Sequence, residues 1–399
     1  MGTMESNPRM GSALQQLQIY SSRKSLRWIA CVVLAALAII YMTGAAYDPS
    51  AVSTNLDTSD STSNGGSTSS TGSTWRHTHK KQAKLLRPVD LMKRPISRDL
   101  QAIPKLIHQS WSSTELPAKF ERWSSTCRHT HPDWEWVLWT DEDNEELVRT
   151  HFPWLLKTYL GLPGVIYRAD LVRNLYMYMF GGVYADLDVE CLRSHDEMFG
   201  EFNVSTVAHA KLKPQSVTSL PKSGRKAFFG RMGTDRGSSN SIPNAWMAST
   251  PGHPFFLIIL ESVMKTMAEK IGNVEGTTGP GKLYDMINEY RQEDSKWAGE
   301  ALDKHVAKNP TAKQFNPRKG LKHSIEVLPF HYIYPYSWER DGEGVREICW
   351  ATKSTFSAER CKLLLGADHW PSYAITYWSH TWTGEGHDDH NVQQLDVAQ

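Results

Sequence analysis

YRADLVRNLYMYMFGGVYADLDVECL, Tyr167 to Leu192, is the stretch on which the fold reading turns. Ala169 to Phe180 combines good helix formers with an apolar face, and Asp170 and Arg173, three apart, share one side of that helix. Gly181-Gly182 stops it. Val183, Tyr184 and Ala185 then read as a short strand leading into Asp186-Leu187-Asp188. Alternate residues of an extended chain point the same way, which predicts both carboxylates on one side and Leu187 toward the core. Two carboxylates held together repel, so the pair calls for a cation, a hydroxyl-rich ligand or a phosphate-bound metal between them. Oxygen donors suit Mn²⁺ or Mg²⁺, whereas zinc would want His or Cys. An isolated D-x-D describes a solvated turn equally well, and Asp170–Arg173 alone describes an ordinary surface ion pair.

The neighbouring segments supply the context. IPKLIHQSW, Ile103 to Trp111, reads as a buried strand running into Ser and Thr residues that suggest a helix start. WEWVLWTD, Trp134 to Asp141, reads as a second strand, and Leu147, Val148 and Phe152 after it are spaced by helical steps. Strand, helix, strand, helix at this spacing predicts an α/β fold with a parallel sheet. Ligands of such sheets sit beyond the C-terminal strand ends, which directs attention to Gln109, Ser110, Trp111, Thr140 and Asp141. Trp134, Trp136 and Trp139 look like strand packing. GTTGPGK, Gly276 to Lys282, lacks phosphate-loop spacing and reads as a loop on the acceptor side.

The chain has 399 residues, with 44 basic and 43 acidic side chains, a balance that excludes an acidic disordered protein and a general polyanion binder. Nucleic acid is therefore not an expected partner. Residues 1–27 form a basic tail. Trp28 to Tyr47 is an uncharged run of 20 residues, long enough to cross a bilayer, and the basic residues before it predict a type II signal anchor with the C-terminal body in the lumen. Residues 48–100 follow as a Ser/Thr-rich stalk and a basic linker, and 101–385 as one catalytic-sized domain, leaving 386–399 as a flexible tail. An oxidising lumen permits disulfides among Cys127, Cys191, Cys349 and Cys361, with the connectivity open. Asn203-Val204-Ser205 is a glycosylation sequon.

Taken together, R-x-D-x-x-R, G-G-x-Y and D-x-D, with IPKLIHQSW, the LWTD segment, NAWMASTPGHPFF and YWSHTW, resemble glycosyltransferase family 32, the DXD sugar-binding group that contains fungal Golgi α-mannosyltransferases. The resemblance spans about Ile103 to Trp382. It implies a GT-A-type fold, Rossmann-like with a mostly parallel sheet flanked by helices, and retaining transfer from a nucleotide-sugar. Carried over, Asp188, Asp186 and His380 would hold the metal, Asp170 and Arg173 the sugar hydroxyls. Trp111, Gln109, Asn244 and Trp382 would line the nucleotide-sugar site. GDP-mannose is the expected donor, with a UDP-sugar as the alternative. The acceptor is a glycan or a glycolipid, and the absence of a long apolar run in 370–399 leans toward the glycan. The implied setting is the Golgi membrane (or the endoplasmic reticulum), in company with other Golgi glycosyltransferases. Two rivals stand beside it. A haloacid-dehalogenase-type phosphatase would not have its strand broken by Gly181-Gly182, nor Glu190 two places after the second Asp. A lumenal sugar-binding receptor, which Trp and Tyr stacking would also suit, stands as the non-enzymatic alternative, to be separated by metal-dependent hydrolysis of a nucleotide-sugar.

Overall fold

The computed structural model describes residues 81–96, 101–209, 223–234, 236–269, 272–292, 295–315, 319–369, 372–379 and 392–394. These belong to one compact unit, His77–Gln399. The anchor at 28–47, nearly all of the stalk, His380 and Trp382 lie outside the described residues. Among the described residues no helix is long and apolar enough to cross a membrane.

The strands are β1 (Lys84–Leu85), β2 (Ile103–Pro104), β3 (Leu106–Ser110), β4 (Glu115–Pro117), β5 (Glu135–Trp139), β6 (Gly182–Ala185), β7 (Val189–Cys191), β8 (Thr206–Val207), β9 (Ser223–Phe229), β10 (Trp246–Ser249), β11 (Lys322–Val327), β12 (Ala374–Thr376) and β13 (Val392–Gln394). Seven of them form one sheet in the order β1-β5-β3-β6-β10-β9-β11. Pairing is parallel for β1–β5, β5–β3, β3–β6 and β9–β11, and antiparallel only where β10 enters. The fold is therefore α/β with a mostly parallel central sheet. β1 lies in the stretch read as linker, and β13, in the tail read as flexible, pairs with β4.

Side chains alternate across this sheet into two cores. Leu106, Val137, Trp139, Tyr184, Phe229 and Met247 pack on one face. They meet helices α2 (Asp141–His151), α3 (Val165–Met179) and α4 (Pro254–Glu269). Ile107, Trp136, Leu138, Val183, Phe228 and Trp246 occupy the other face, covered by α1 (Ala118–Thr130). Two expected boundaries move. The Ser/Thr run after Trp111 is a loop leading into β4, so α1 starts at Ala118, where Pro117 ends the strand. α3 begins at Val165 rather than Ala169, one turn earlier, directly after Gly164.

Gly181 and Gly182 terminate α3 for a stereochemical reason. Their φ values are +66° and +91°, and a Cβ on Gly182 would meet the Leu106 carbonyl oxygen at 2.6 Å. That close approach lets β6 pair beside β3. Two disulfides, Cys127–Cys191 and Cys349–Cys361, are formed. Asn203 sits exposed in a tight turn with φ 54°.

Candidate active site

A cavity of about 700 Å³ opens at the C-terminal ends of β3, β5 and β6. The strand ends contribute Ser110, Trp111 and Asp141, and α3 contributes Asp170 and Arg173 from its inward side. Asp186 and Asp188 both face this cavity, but not by strand alternation. β6 ends at Ala185, and a turn closed by the Val189 N–H donating to the Asp186 carbonyl at 3.1 Å carries Leu187 and Asp188. The turn, rather than an extended chain, aims the two carboxylates together. The segment Gly276 to Lys282 is also partly helical, forming Val274–Thr277 and the start of α5 (Pro280–Arg291), and Glu275 and Pro280 line the cavity.

Asp170 and Arg173 form no surface pair. Both are buried, at 4% and 5% exposure. The Arg173 guanidinium lies 3.2 Å from Asp170 Oδ1 and 3.4 Å from Asp186 Oδ1, donates to the Asn244 carbonyl at 2.9 Å, and rests over the Tyr184 ring at 4.7 Å. The Asn244 amide donates to Asp170 Oδ1 at 2.8 Å, and Tyr184 Oη donates to Asp186 Oδ1 at 2.5 Å. One cation thus serves two carboxylates. Burial pushes the Asp186 carboxyl up to about 6; Arg173 opposes the shift and Asp188 adds to it. Burial likewise raises Asp170 against the pull of Arg173. For Arg173, burial works against the charge, but Asp186, Tyr184 and Asp170 outweigh it and the guanidinium stays firmly protonated.

Asp188 is held from the far end of the chain. β12 pairs antiparallel with β7, Thr376 opposite Val189, and this delivers Ser379 to the turn. The Ser379 N–H and hydroxyl both donate to Asp188 Oδ2, at 3.0 and 2.9 Å. Trp378, which lines the cavity with a φ of 47°, stacks on Tyr334. Within YWSHTW the described residue in contact with Asp188 is therefore Ser379, with Trp378 beside the cavity; His380 and Trp382, the residues expected at the site, lie outside the described residues. Trp111 lines the cavity, backed by Phe120 at 5.1 Å.

Gln109 does not reach the cavity. Fully buried under α1, its side-chain oxygen accepts from Ser124 Oγ at 2.6 Å and Trp136 Nε1 at 2.8 Å, while its amide points to the Asp186 carbonyl at 3.4 Å. Its role is to brace the turn. Trp134, Trp136 and Trp139 are core.

Among the described residues no group of three or more His, Cys, Asp or Glu converges as a metal site. The donor set does fit a hard divalent cation shared with a phosphate ligand. Asp186 Oδ1 and Asp188 Oδ2 are engaged by Tyr184 and Ser379. Among the described residues their other oxygens have no protein partner, which leaves them for a cation that takes its remaining ligands from phosphate and water.

An α/β sheet with an Asp pair and a buried Asp–Arg–Asn cluster at its C-terminal edge defines a protein built to hold a polar, anionic ligand. Comparison with known proteins points the same way. Residues 117–205 match the family described as "Glycosyltransferase sugar-binding region containing DXD motif", the type its motifs resemble. Three similar curated proteins are fungal mannosyltransferases. "Inositol phosphoceramide mannosyltransferase 3" of Schizosaccharomyces pombe is 46% identical over 102 residues, 26% of this chain and 29% of that protein. "Mannosyl phosphorylinositol ceramide synthase SUR1" of Saccharomyces cerevisiae is 30% identical over 244 residues, 60% of this chain and 53% of that protein. "Inositol phosphoceramide mannosyltransferase 2" of Schizosaccharomyces pombe is 29% identical over 258 residues, 63% and 62% of the two chains. The chain thus spans less than two thirds of the length of each. A solved structure, "PaToxG Glycosyltransferase", aligns at 15% identity with a TM-score of 0.31, covering 54% of this chain and 80% of that one.

Proposed function

We propose that this protein is a metal-dependent, retaining mannosyltransferase that moves mannose from GDP-mannose to a glycolipid acceptor of the inositol phosphoceramide type. The observation that carries the reading is the Asp186–Asp188 turn tied through Arg173 to Asp170, all inside the region matched by the DXD family, with Asn244 from outside that region completing the cluster. The acceptor leans to a glycolipid rather than a glycan because the similar curated proteins are named for inositol phosphoceramide. Within this reading the fold is of the GT-A type, and the protein works as a single-pass type II enzyme of the Golgi or endoplasmic reticulum with its catalytic body in the lumen.

Each residue has a physical task in that reaction. When bound, Mn²⁺ or Mg²⁺ supplies positive charge to the leaving diphosphate. Asp186 and Asp188 hold that ion, positioned by Tyr184 and Ser379. Asp170, fixed by Asn244 and Arg173, accepts hydrogen bonds from the sugar hydroxyls. Rigid positioning of the sugar lowers the barrier to an oxocarbenium-like state more than a strong base would. Front-face displacement, with the departing phosphate oxygen taking the acceptor proton, gives retention.

The test is transfer of labelled mannose to inositol phosphoceramide by the full-length chain in detergent with Mn²⁺. UDP-galactose and UDP-N-acetylglucosamine serve as competing donors. Metal- and Asp188-dependent transfer from GDP-mannose is expected; transfer from a UDP-sugar alone, or inversion seen by NMR of the product, would overturn the reading.

A further inference from the structure

The cavity has two poles, Asp186 and Asp188 at one and Trp111 and Asp141 at the other. β5 and β3 run parallel with Trp139 level with Ser110, and the Trp111 N–H donates to the Trp139 carbonyl at 3.0 Å. Trp111 and Asp141 therefore leave adjacent strands side by side. β6 flanks β3 on its other edge with Tyr184 level with His108, which sets Asp186 level with Ser110. With strands about 4.8 Å apart and about 3.3 Å per residue, Asp141 and Asp186 are separated by two strand spacings and about two residues along the sheet, roughly 12 Å. That matches the reach of a nucleotide from its base to its phosphates.

The Asp141 carboxylate is spare. It opens α2, but the cap is made by Thr140 and Asp143, each bonded to the other's backbone N–H. Among the described residues the Asp141 side chain makes no hydrogen bond and no close ion pair, although burial raises its carboxyl against the longer-range attraction of Arg168, and it lines the cavity, partly buried there. Val165 and Ile166, from the first turn of α3, supply an apolar wall, and Trp111 supplies an aromatic one. An apolar slot with one unpaired carboxylate suits a flat heterocycle whose edge carries N–H donors.

We infer that Asp141 reads the base of the donor nucleotide and selects guanine. The inference rests on the nucleotide-sugar reading above and adds the residue that sets the nucleotide. The guanine edge presents two adjacent donors, N1–H and the 2-amino group, which the two oxygens of one carboxylate accept together. Uracil presents a single N–H between two carbonyl oxygens, and a carboxylate facing that edge gains one bond while opposing two acceptors. Leaving either partner unpaired in the slot carries a desolvation cost, so the discrimination works in both directions.

The experiment measures binding of GDP, IDP and UDP to the full-length chain with Mn²⁺ by calorimetry. IDP lacks only the 2-amino group, so it probes the contact in the wild-type protein with no folding change. Wild type is expected to bind GDP roughly tenfold or more tighter than IDP, the effect of one hydrogen bond to a charged group. UDP should be weaker than GDP as well. Asp141→Asn should close the GDP–IDP gap and bind UDP no more weakly than wild type, because the amide no longer opposes the uracil oxygens. Equal GDP and IDP affinities in wild type, or an Asp141→Asn variant that weakens all three alike or none, would overturn the inference while leaving the proposed function standing. A wild-type chain that binds no nucleoside diphosphate with Mn²⁺ would sink both.

Discussion

Ser379 holds Asp188 by two hydrogen bonds across 191 positions of sequence, its backbone N–H and its hydroxyl both donating to Oδ2. The backbone bond survives substitution of the side chain and the hydroxyl bond does not. Ser379→Ala should therefore loosen the carboxylate without displacing it. Residues that orient a metal-binding group typically matter by about 10–100-fold in metal affinity. A Mn²⁺ titration of mannose transfer should show its midpoint raised by about that factor, with the rate at saturating metal falling less. An unchanged midpoint would mean that Ser379 does not position a metal ligand.

Among the described residues Arg173 is the guanidinium that pairs with both Asp170 and Asp186, and all three line the cavity. Arg173→Met should leave the buried Asp170 and the partly exposed Asp186 without their shared cation, held only by Asn244 and Tyr184, costing on the order of 3 kcal/mol of stability, with activity reduced at least a hundredfold. Adding Asp170→Asn removes one of the two charges, so denaturant unfolding of the double variant should recover part of the stability. Activity should not return, because the carboxylate proposed to hold the sugar is gone. Recovery of both would make the cluster merely structural.

What could be read from the chain divides by range. The helix α3, its glycine stop and the strand β6 are local patterns, and the period of apolar residues with Gly181-Gly182 shows them directly. The aim of Asp186 and Asp188 was right for the wrong reason, since a one-bond turn and an extended strand both place alternate residues together. Gln109 looked available because it stands at a polar strand end; the Ser124 and Trp136 contacts that bury it come from α1 and β5 and leave no local trace. Ser379 and Trp378 were hidden for the same reason, because β12 reaches β7 only after the whole domain has closed. In YWSHTW the family resemblance directs attention to His380 and Trp382, which lie outside the described residues, and gives no sign of the Ser379 contact.

The Cys127–Cys191 disulfide closes 64 positions and anchors β7, which begins directly after Asp188, to α1; Cys349–Cys361 closes only 12. Chain-entropy estimates give about 4 kcal/mol for the longer loop and about 3 kcal/mol for the shorter. The pair Cys127→Ser and Cys191→Ser should lower the melting temperature more than Cys349→Ser with Cys361→Ser. It should also raise the Mn²⁺ requirement, because the metal-facing turn loses its tether. Equal effects of the two pairs on metal response would detach the disulfide from the site.

Acid should destabilise the protein through its buried imidazoles. Burial lowers His108 and His323 to about 3 and His131 and His209 to about 4, and it drives His195 and His253 well below the ordinary 6.5. The folded chain keeps these rings neutral, while the unfolded chain protonates them below about 6.5. Their contribution is therefore complete above that pH and is lost as pH falls toward 4, at about 1.4 kcal/mol per pH unit for each ring. Denaturant midpoints measured between about pH 7 and pH 5 should fall steadily. His195, with neither ring nitrogen partnered among the described residues and aromatic neighbours in His131, Trp134, Phe199 and Trp246, is the clearest probe. His195→Phe should flatten the dependence by one ring's share and stabilise the protein most at the acid end; a slope identical to wild type would show that the folded chain lets His195 take up its proton as the unfolded chain does.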